Sequence, residues 1–113
     1  DVAIQNLPVI VCADRAGIVG NDGETHQGLL DLSFTNTIPN FTIMAPKDFS
    51  EIEEMISFSI NINKPVLIRY PRGGEEYSFG NNKKIELGKA EVLRNGKDVT
   101  IVAIGKMVYR ARA

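Results

Sequence analysis

The chain has 113 residues, 43% of them hydrophobic and 24% charged, with a net charge of −1. That is the balance of a soluble globular domain or part of one, with no basic field for nonspecific binding to nucleic acid or membrane. No apolar stretch approaches the roughly 20 residues that span a bilayer, and the opening DVAIQNLP lacks the basic and apolar regions of a signal peptide. One cysteine, Cys12, rules out an internal disulfide. Inside VIVCA it reads as a small buried core residue in a reducing compartment. Both ends read as cut from a longer chain: position 1 is Asp, and the closing MVYRARA begins a helix and stops.

Leu7 to Ala13, LPVIVCA, is a short apolar run rich in β-branched residues, the pattern of a strand buried on both faces of a parallel sheet. A glycine-rich stretch, DRAGIVGNDGETHQG, follows from Asp14 to Gly28. From about Thr25 to Asn36 the spacing predicts a helix, with His26, Leu29, Leu30, Ser33 and Phe34 on one face. Pro39 closes that unit. Phe41 to Ala45 reads as a second strand. Asp48 with Glu51 three residues on is a capping-box-like start to a helix striped by Ile52, Met55, Ile56 and Ile60. Lys47, just before it, is expected to affect only the cap. Pro65 to Tyr70, PVLIRY, reads as a third strand ended by Pro71.

The order β–loop–α–β–α–β predicts an α/β fold, a parallel sheet with helices on both faces. After Gly73, GGEEYSFGNN is a polar connector. Ile85 to Leu93 reads as a more exposed strand, Asn95-Gly96 as a hairpin turn and Val99 to Ile104 as a buried strand. The expected organisation is a partial domain over residues 1–80, a linker with a hairpin over 81–98, and the start of a second domain over 99–113.

Ligands of open α/β sheets bind beyond the carboxyl ends of the strands. The first strand ends at Asp14-Arg15 and the third at Arg69-Tyr70-Pro71-Arg72, so the two segments should meet on one edge. Arg15 and Arg72 there suit a bidentate clamp for phosphate or carboxylate; solvated arginines, or pairing with acids such as Asp14, are the plainer alternative. GIVGNDG is neither the dinucleotide fingerprint nor a P-loop, so its glycines serve backbone geometry first. Asp22, Glu24 and His26 alternate, but a chain with one His and one Cys is poor in zinc ligands, and no metal site is expected. His26, in the first turn of the expected helix, would be kept neutral by the helix dipole and free to donate and accept hydrogen bonds. A histidine satisfied by backbone is the alternative.

DRAGIVGNDGETHQG, IPNFTIMAPKD and RYPRG together resemble the pyrimidine-binding domain of the 1-deoxy-D-xylulose 5-phosphate synthase family, thiamine-diphosphate enzymes of the transketolase superfamily. The resemblance covers nearly the whole chain, and GKDVTIVAIGKMV resembles the start of that family's C-terminal domain. The tail YRARA departs from the helix expected there. The related GEDGPTHQP of transketolase proper lacks the preceding DRAG and the Gly28 that follows THQ.

The resemblance implies a bacterial, cytoplasmic, homodimeric transferase. It would condense pyruvate with D-glyceraldehyde 3-phosphate, with loss of carbon dioxide, using thiamine diphosphate and Mg2+. It assigns the acceptor phosphate to Arg15 and Arg72, the acceptor hydroxyls to Asp22, and the pyruvate-derived portion to His26. Asp14 and Arg69 stay structural and Glu24 solvated. It also implies that the cofactor-activating glutamate lies upstream of Asp1 and the diphosphate and Mg2+ site in an N-terminal domain. No cofactor-binding residue is then assigned in this chain, which by itself would be inactive. Transketolase-type ketol transfer and a noncatalytic anion-binding or dimerisation module are the rival expectations.

Overall fold

The computed structural model describes residues 1–75, 77–80 and 84–112. Glu76 and residues 81–83, where the expected linker begins, lie outside the described residues. The sheet contains β1 (Ile10–Ala13), β2 (Thr42–Met44) and β3 (Val66–Arg69), all parallel, in the order β1–β3–β2. Register pairs Ile10 and Thr42 with Val66, and Cys12 and Met44 with Ile68. Side chains alternate along a strand, so these residues share one face, while Val11, Ile43, Leu67 and Arg69 share the other.

The first face carries the core. Met44, Val66 and Ile68 form its buried centre, and Ile52, Met55, Phe58 and Ile62 pack on it. Those four lie on α2 (Phe49–Ile62). Burial of such side chains contributes about 1.5–3 kcal/mol each. Helix α2 starts where the sequence says it should: Asp48 Oδ1 accepts from the Glu51 amide at 2.8 Å. The reciprocal bond reaches one residue further back than a standard capping box, from the Lys47 amide to Glu51 Oε2 at 2.7 Å. It stops at Asn63, left-handed at φ 52°, with Pro65 just beyond.

The second face holds α1 (Asp31–Thr35) through a half-buried ion pair, Asp31 Oδ2 to Arg69 Nε at 2.6 Å. Helices therefore lie on both faces. This pair also gives Arg69 the structural role expected of it.

The structure corrects four local expectations. Cys12 is exposed and Val11 is 41% exposed: the core packs on the β2–β3 part of the sheet and leaves the edge strand β1 less covered. The expected helix over Thr25–Asn36 is two pieces, a single 3-10 turn at Glu24–His26 and the short α1. Gln27 is extended between them, and Leu29, Leu30 and Phe34 are exposed rather than core. No strand or hairpin forms among the described residues from 84 to 104: a strand needs a ladder partner, and none lies beside Ile85–Leu93 or Val99–Ile104. Met107–Arg112, in the tail that departs from the helix expected there, does become a helix, α3.

Lys47 does more than affect the cap. Its ammonium pairs with Glu51 at 2.8 Å and with Glu91 at 3.2 Å, tying the irregular segment after residue 84 to α2. Burial works against this charge, but Glu51 and then Glu91 outweigh it and hold the amine above its ordinary value. Phe79 is fixed nearby, its amide donating to Asp48 Oδ2 at 3.0 Å, and Arg112 of α3 lies over the rings of Tyr77 and Phe79.

Candidate functional site

Beyond the sheet, the ends of β1 and β3 continue side by side. The Tyr70 amide donates to Ala13 O at 3.0 Å, and the Ala16 amide donates to Tyr70 O at 2.9 Å. These bonds carry Asp14-Arg15 alongside Tyr70-Pro71-Arg72, the meeting that the strand ends predict. Arg15 sits in the left-handed region at φ 57°, a conformation that costs a non-glycine residue on the order of 1–2 kcal/mol. Such outliers cluster at functional sites.

The glycine-rich stretch is a closed loop. Gly17 and Gly28 exchange backbone hydrogen bonds at 2.9 and 3.1 Å, forming its neck. Gly17 needs its freedom at φ 90°. Gly28 needs its missing side chain, since a Cβ there would meet the Arg15 carbonyl oxygen at 2.6 Å. Within the loop the Gln27 amide bonds four backbone groups. Its oxygen accepts from the Val19 amide at 2.7 Å. Its nitrogen donates to the carbonyls of Val19, Asp22 and Gly23 at 3.1, 3.2 and 3.3 Å.

Asp22 is the centre of charge. Its side chain is only 5% exposed and lies between both arginines: Oδ1 accepts from Arg72 Nη1, and Oδ2 is 3.5 Å from Arg15 Nη1. Arg15 also approaches Asp14 at 3.6 Å. Asp22 Oδ2 has no hydrogen-bond partner among the described residues. A buried acceptor in that condition is costly unless a ligand completes it.

His26 is exposed, and its Nδ1 lies 2.9 Å from Thr25 Oγ1. It belongs to a 3-10 turn rather than an α-helix, so the expected dipole argument has no helix behind it. A cleft of about 550 Å³ is lined by Asp14, Arg15, Thr25, His26, Gln27 and Gly28. Arg15 and His26 thus share one cleft, and Asp22 and Arg72 are joined to it through Arg15. A second hollow of about 430 Å³ among Leu32, Ser33, Asn36, Ile43, Ala45 and Ile104 holds no titratable group. Among the described residues, no three His, Cys, Asp or Glu side chains gather as metal ligands, and no helix is long and apolar enough to cross a membrane.

Sequence reasoning missed Gln27 and Thr25. Both stand in the THQG motif, but their signal is only a side-chain type: an amide both donates and accepts at one planar end, and a hydroxyl can face an adjacent imidazole.

The sheet, loop and strand-end charges define a class. The chain belongs to the family described as transketolase, pyrimidine binding domain, whose model matches residues 1–75. Particular relatives share one name. The chain is 52% identical to a 1-deoxy-D-xylulose-5-phosphate synthase of Clostridium acetobutylicum and 56% identical to one of Halothermothrix orenii, each over 98% of this chain. A third, of Natranaerobius thermophilus, is 54% identical over 96%. The chain spans about 18% of the length of the first two. A solved structure described as a split gene transketolase, inactive beta4 tetramer, superimposes with a TM-score of 0.85 at 34% identity, covering 96% of this chain and 35% of the other.

Proposed function

We propose that this chain supplies the acceptor-binding wall of a thiamine-diphosphate-dependent transferase that condenses pyruvate with D-glyceraldehyde 3-phosphate to 1-deoxy-D-xylulose 5-phosphate, releasing carbon dioxide. The observation that carries the reading is Asp22, buried between Arg15 and Arg72 with one carboxylate oxygen unsatisfied. Two guanidiniums suit a phosphate dianion, and the open acceptor oxygen suits a neighbouring hydroxyl. The names of the relatives support the particular substrates.

In this reading Arg15 and Arg72 hold the acceptor phosphate, with Asp22 spacing them and receiving the acceptor hydroxyl. His26 orients the donor within the cleft. Its Nδ1 is engaged by the Thr25 hydroxyl, which leaves Nε2 to bond the substrate or carry a proton.

The relatives imply thiamine diphosphate. The cleft described above does not by itself form its cradle. The cleft walls carry no aromatic or aliphatic shelf for a pyrimidine besides the His26 ring, and no acidic cluster would hold a Mg2+-diphosphate. The cofactor is therefore assigned to no residue of this chain, and no step is routed through it here. We extend the reading to residues 99–113 as part of the family's C-terminal domain and to a cytoplasmic homodimer. The apolar Phe49, Ile56 and Ile60, exposed on α2, support an interface there.

The solved transketolase neighbour favours one alternative, ketol transfer from a sugar phosphate. A donor screen on the full-length protein carrying this segment, with thiamine diphosphate and Mg2+, separates the two. Product from pyruvate and D-glyceraldehyde 3-phosphate is expected. Turnover with a ketose phosphate and none with pyruvate would replace the synthase reading with the alternative.

A further inference from the structure

We propose that Gln27 is a positioning residue that sets Asp22 between the two arginines and so tunes recognition of the phosphorylated acceptor. This rests on the acceptor reading above for its kinetic consequence, but not for its structural one. The loop from Gly17 to Gly28 contains only one 3-10 turn, at its far end. The turn that carries Asp22 is closed by its own amide donating to Val19 O at 3.0 Å. The Gly23 carbonyl that follows accepts from the His26 amide at 3.0 Å, and every side-chain hydrogen bond that steadies the turn from inside the loop comes from one residue. Gln27 takes the Val19 amide and gives to the Val19, Asp22 and Gly23 carbonyls. The Asp22 backbone is thus suspended from the Gln27 amide, while the Asp22 carboxylate reaches the arginines.

The chemistry restricts what can stand at this position. The site asks for an acceptor and donors on one short planar group, which only Gln and Asn carry, and Asn is one methylene shorter. Gln27 also lines the cleft, yet its polar atoms are committed to backbone. It therefore acts through Asp22 rather than on a ligand. It adjoins His26, so one dipeptide places the donor-side imidazole and governs the acceptor-side carboxylate.

The test uses the full-length protein with Gln27→Met, Gln27→Glu and Asp22→Ala. Gln27→Met keeps the length of the side chain and removes its hydrogen bonds. It is expected to raise the KM for D-glyceraldehyde 3-phosphate about tenfold with the pyruvate KM nearly unchanged, and to speed amide exchange at residues 18–23 while β3 amides stay protected. Gln27→Glu keeps the acceptor for the Val19 amide but sets a carboxylate against three carbonyls. Its acceptor defect should ease as the pH falls and the new carboxyl gains a proton it can donate, a response that a purely packing role would not produce. Wild-type exchange at residues 18–23 together with a wild-type acceptor KM in Gln27→Met would overturn the inference. Asp22→Ala separates the two layers. If it leaves the acceptor KM unchanged, the acceptor reading falls, and the exchange data alone decide whether Gln27 positions Asp22.

Discussion

PVLIRY at residues 65–70 and VTIVAI at residues 99–104 are near equals as sequences, both short, apolar and β-branched. Their fates differ. The first becomes the central strand, with Val66 and Ile68 at 0% exposure. The second forms no strand, and Val99 and Val102 are 74% and 85% exposed. β3 has a ladder neighbour on each side and α2 above it, whereas residues 99–104 have no ladder neighbour among the described residues. Strand character belongs to the neighbourhood as much as to the residues. Because β3 is held on three sides, the segment leaving its end can present Arg72 to Asp22 of the loop that follows β1.

Four substitutions test that contrast in falling order of effect, with Val102→Ala as the exposed control for the first. Ile68→Ala should lower unfolding stability by about 2–5 kcal/mol, the range for truncating a core aliphatic. Val102→Ala should stay within about 0.5 kcal/mol, as exposed sites do. Urea titrations of both variants read this, and equal losses would erase the distinction. Beyond the end of β3, Arg72→Ala in the full-length protein should remove a charge-assisted contact of about 1.5–3 kcal/mol. The loss should appear mainly in the KM for D-glyceraldehyde 3-phosphate. Steady-state kinetics showing an unchanged acceptor KM would refute the assignment of Arg72, and Val102→Ala should leave both KM values alone.

Asp48→Ala removes the α2 cap and the anchor of Phe79, and should cost about 1 kcal/mol. Burial alone would push the Asp48 carboxyl up, but amides of Glu51 and Phe79, the Ser50 hydroxyl and the Lys47 charge hold it below its ordinary 3.8. A depressed carboxyl adds stability above that value and loses it as pH falls through the folded pKa. The gap between wild type and Asp48→Ala in thermal unfolding should therefore narrow in acid. A gap independent of pH would show that the carboxylate charge is not what matters. Smallest of the four is Glu91→Gln, which loosens the tie between the irregular segment and α2 by less than about 1 kcal/mol. The Lys47 amine is held above its ordinary 10.5, so the contribution of the pair is complete below that value and fades as pH rises through the folded pKa. Denaturation at neutral and strongly alkaline pH should show the difference shrinking.

The framework was legible where one local rule governed each residue. Asp48 caps α2 because its side chain and the Glu51 amide are neighbours in sequence. The segments that carry Arg15 and Arg72 run side by side because parallel strands end on one edge. The motif resemblance reached the family without any geometry. What stayed illegible depended on competition. The spacing from Thr25 to Asn36 is helical, but the bond of Gly28 to Gly17 and the four bonds of Gln27 take the backbone elsewhere. Cys12 lies in a core-like run, yet its exposure is decided by where the core packs on the sheet. The joining of both arginines on Asp22 required the loop to close first, and no spacing rule describes that closure.

The neck of that loop has a consequence for how the stretch tolerates change. Gly17 and Gly28 leave little latitude: a side chain at the first is strained by its positive φ, and any β-carbon at the second would strike the Arg15 carbonyl. Gly20 and Gly23 have open space around them and no positive φ, so alanine or serine should enter there freely. A saturation library across residues 17–28, selected for folding alone, would return glycine at the two ends and a mixture between them.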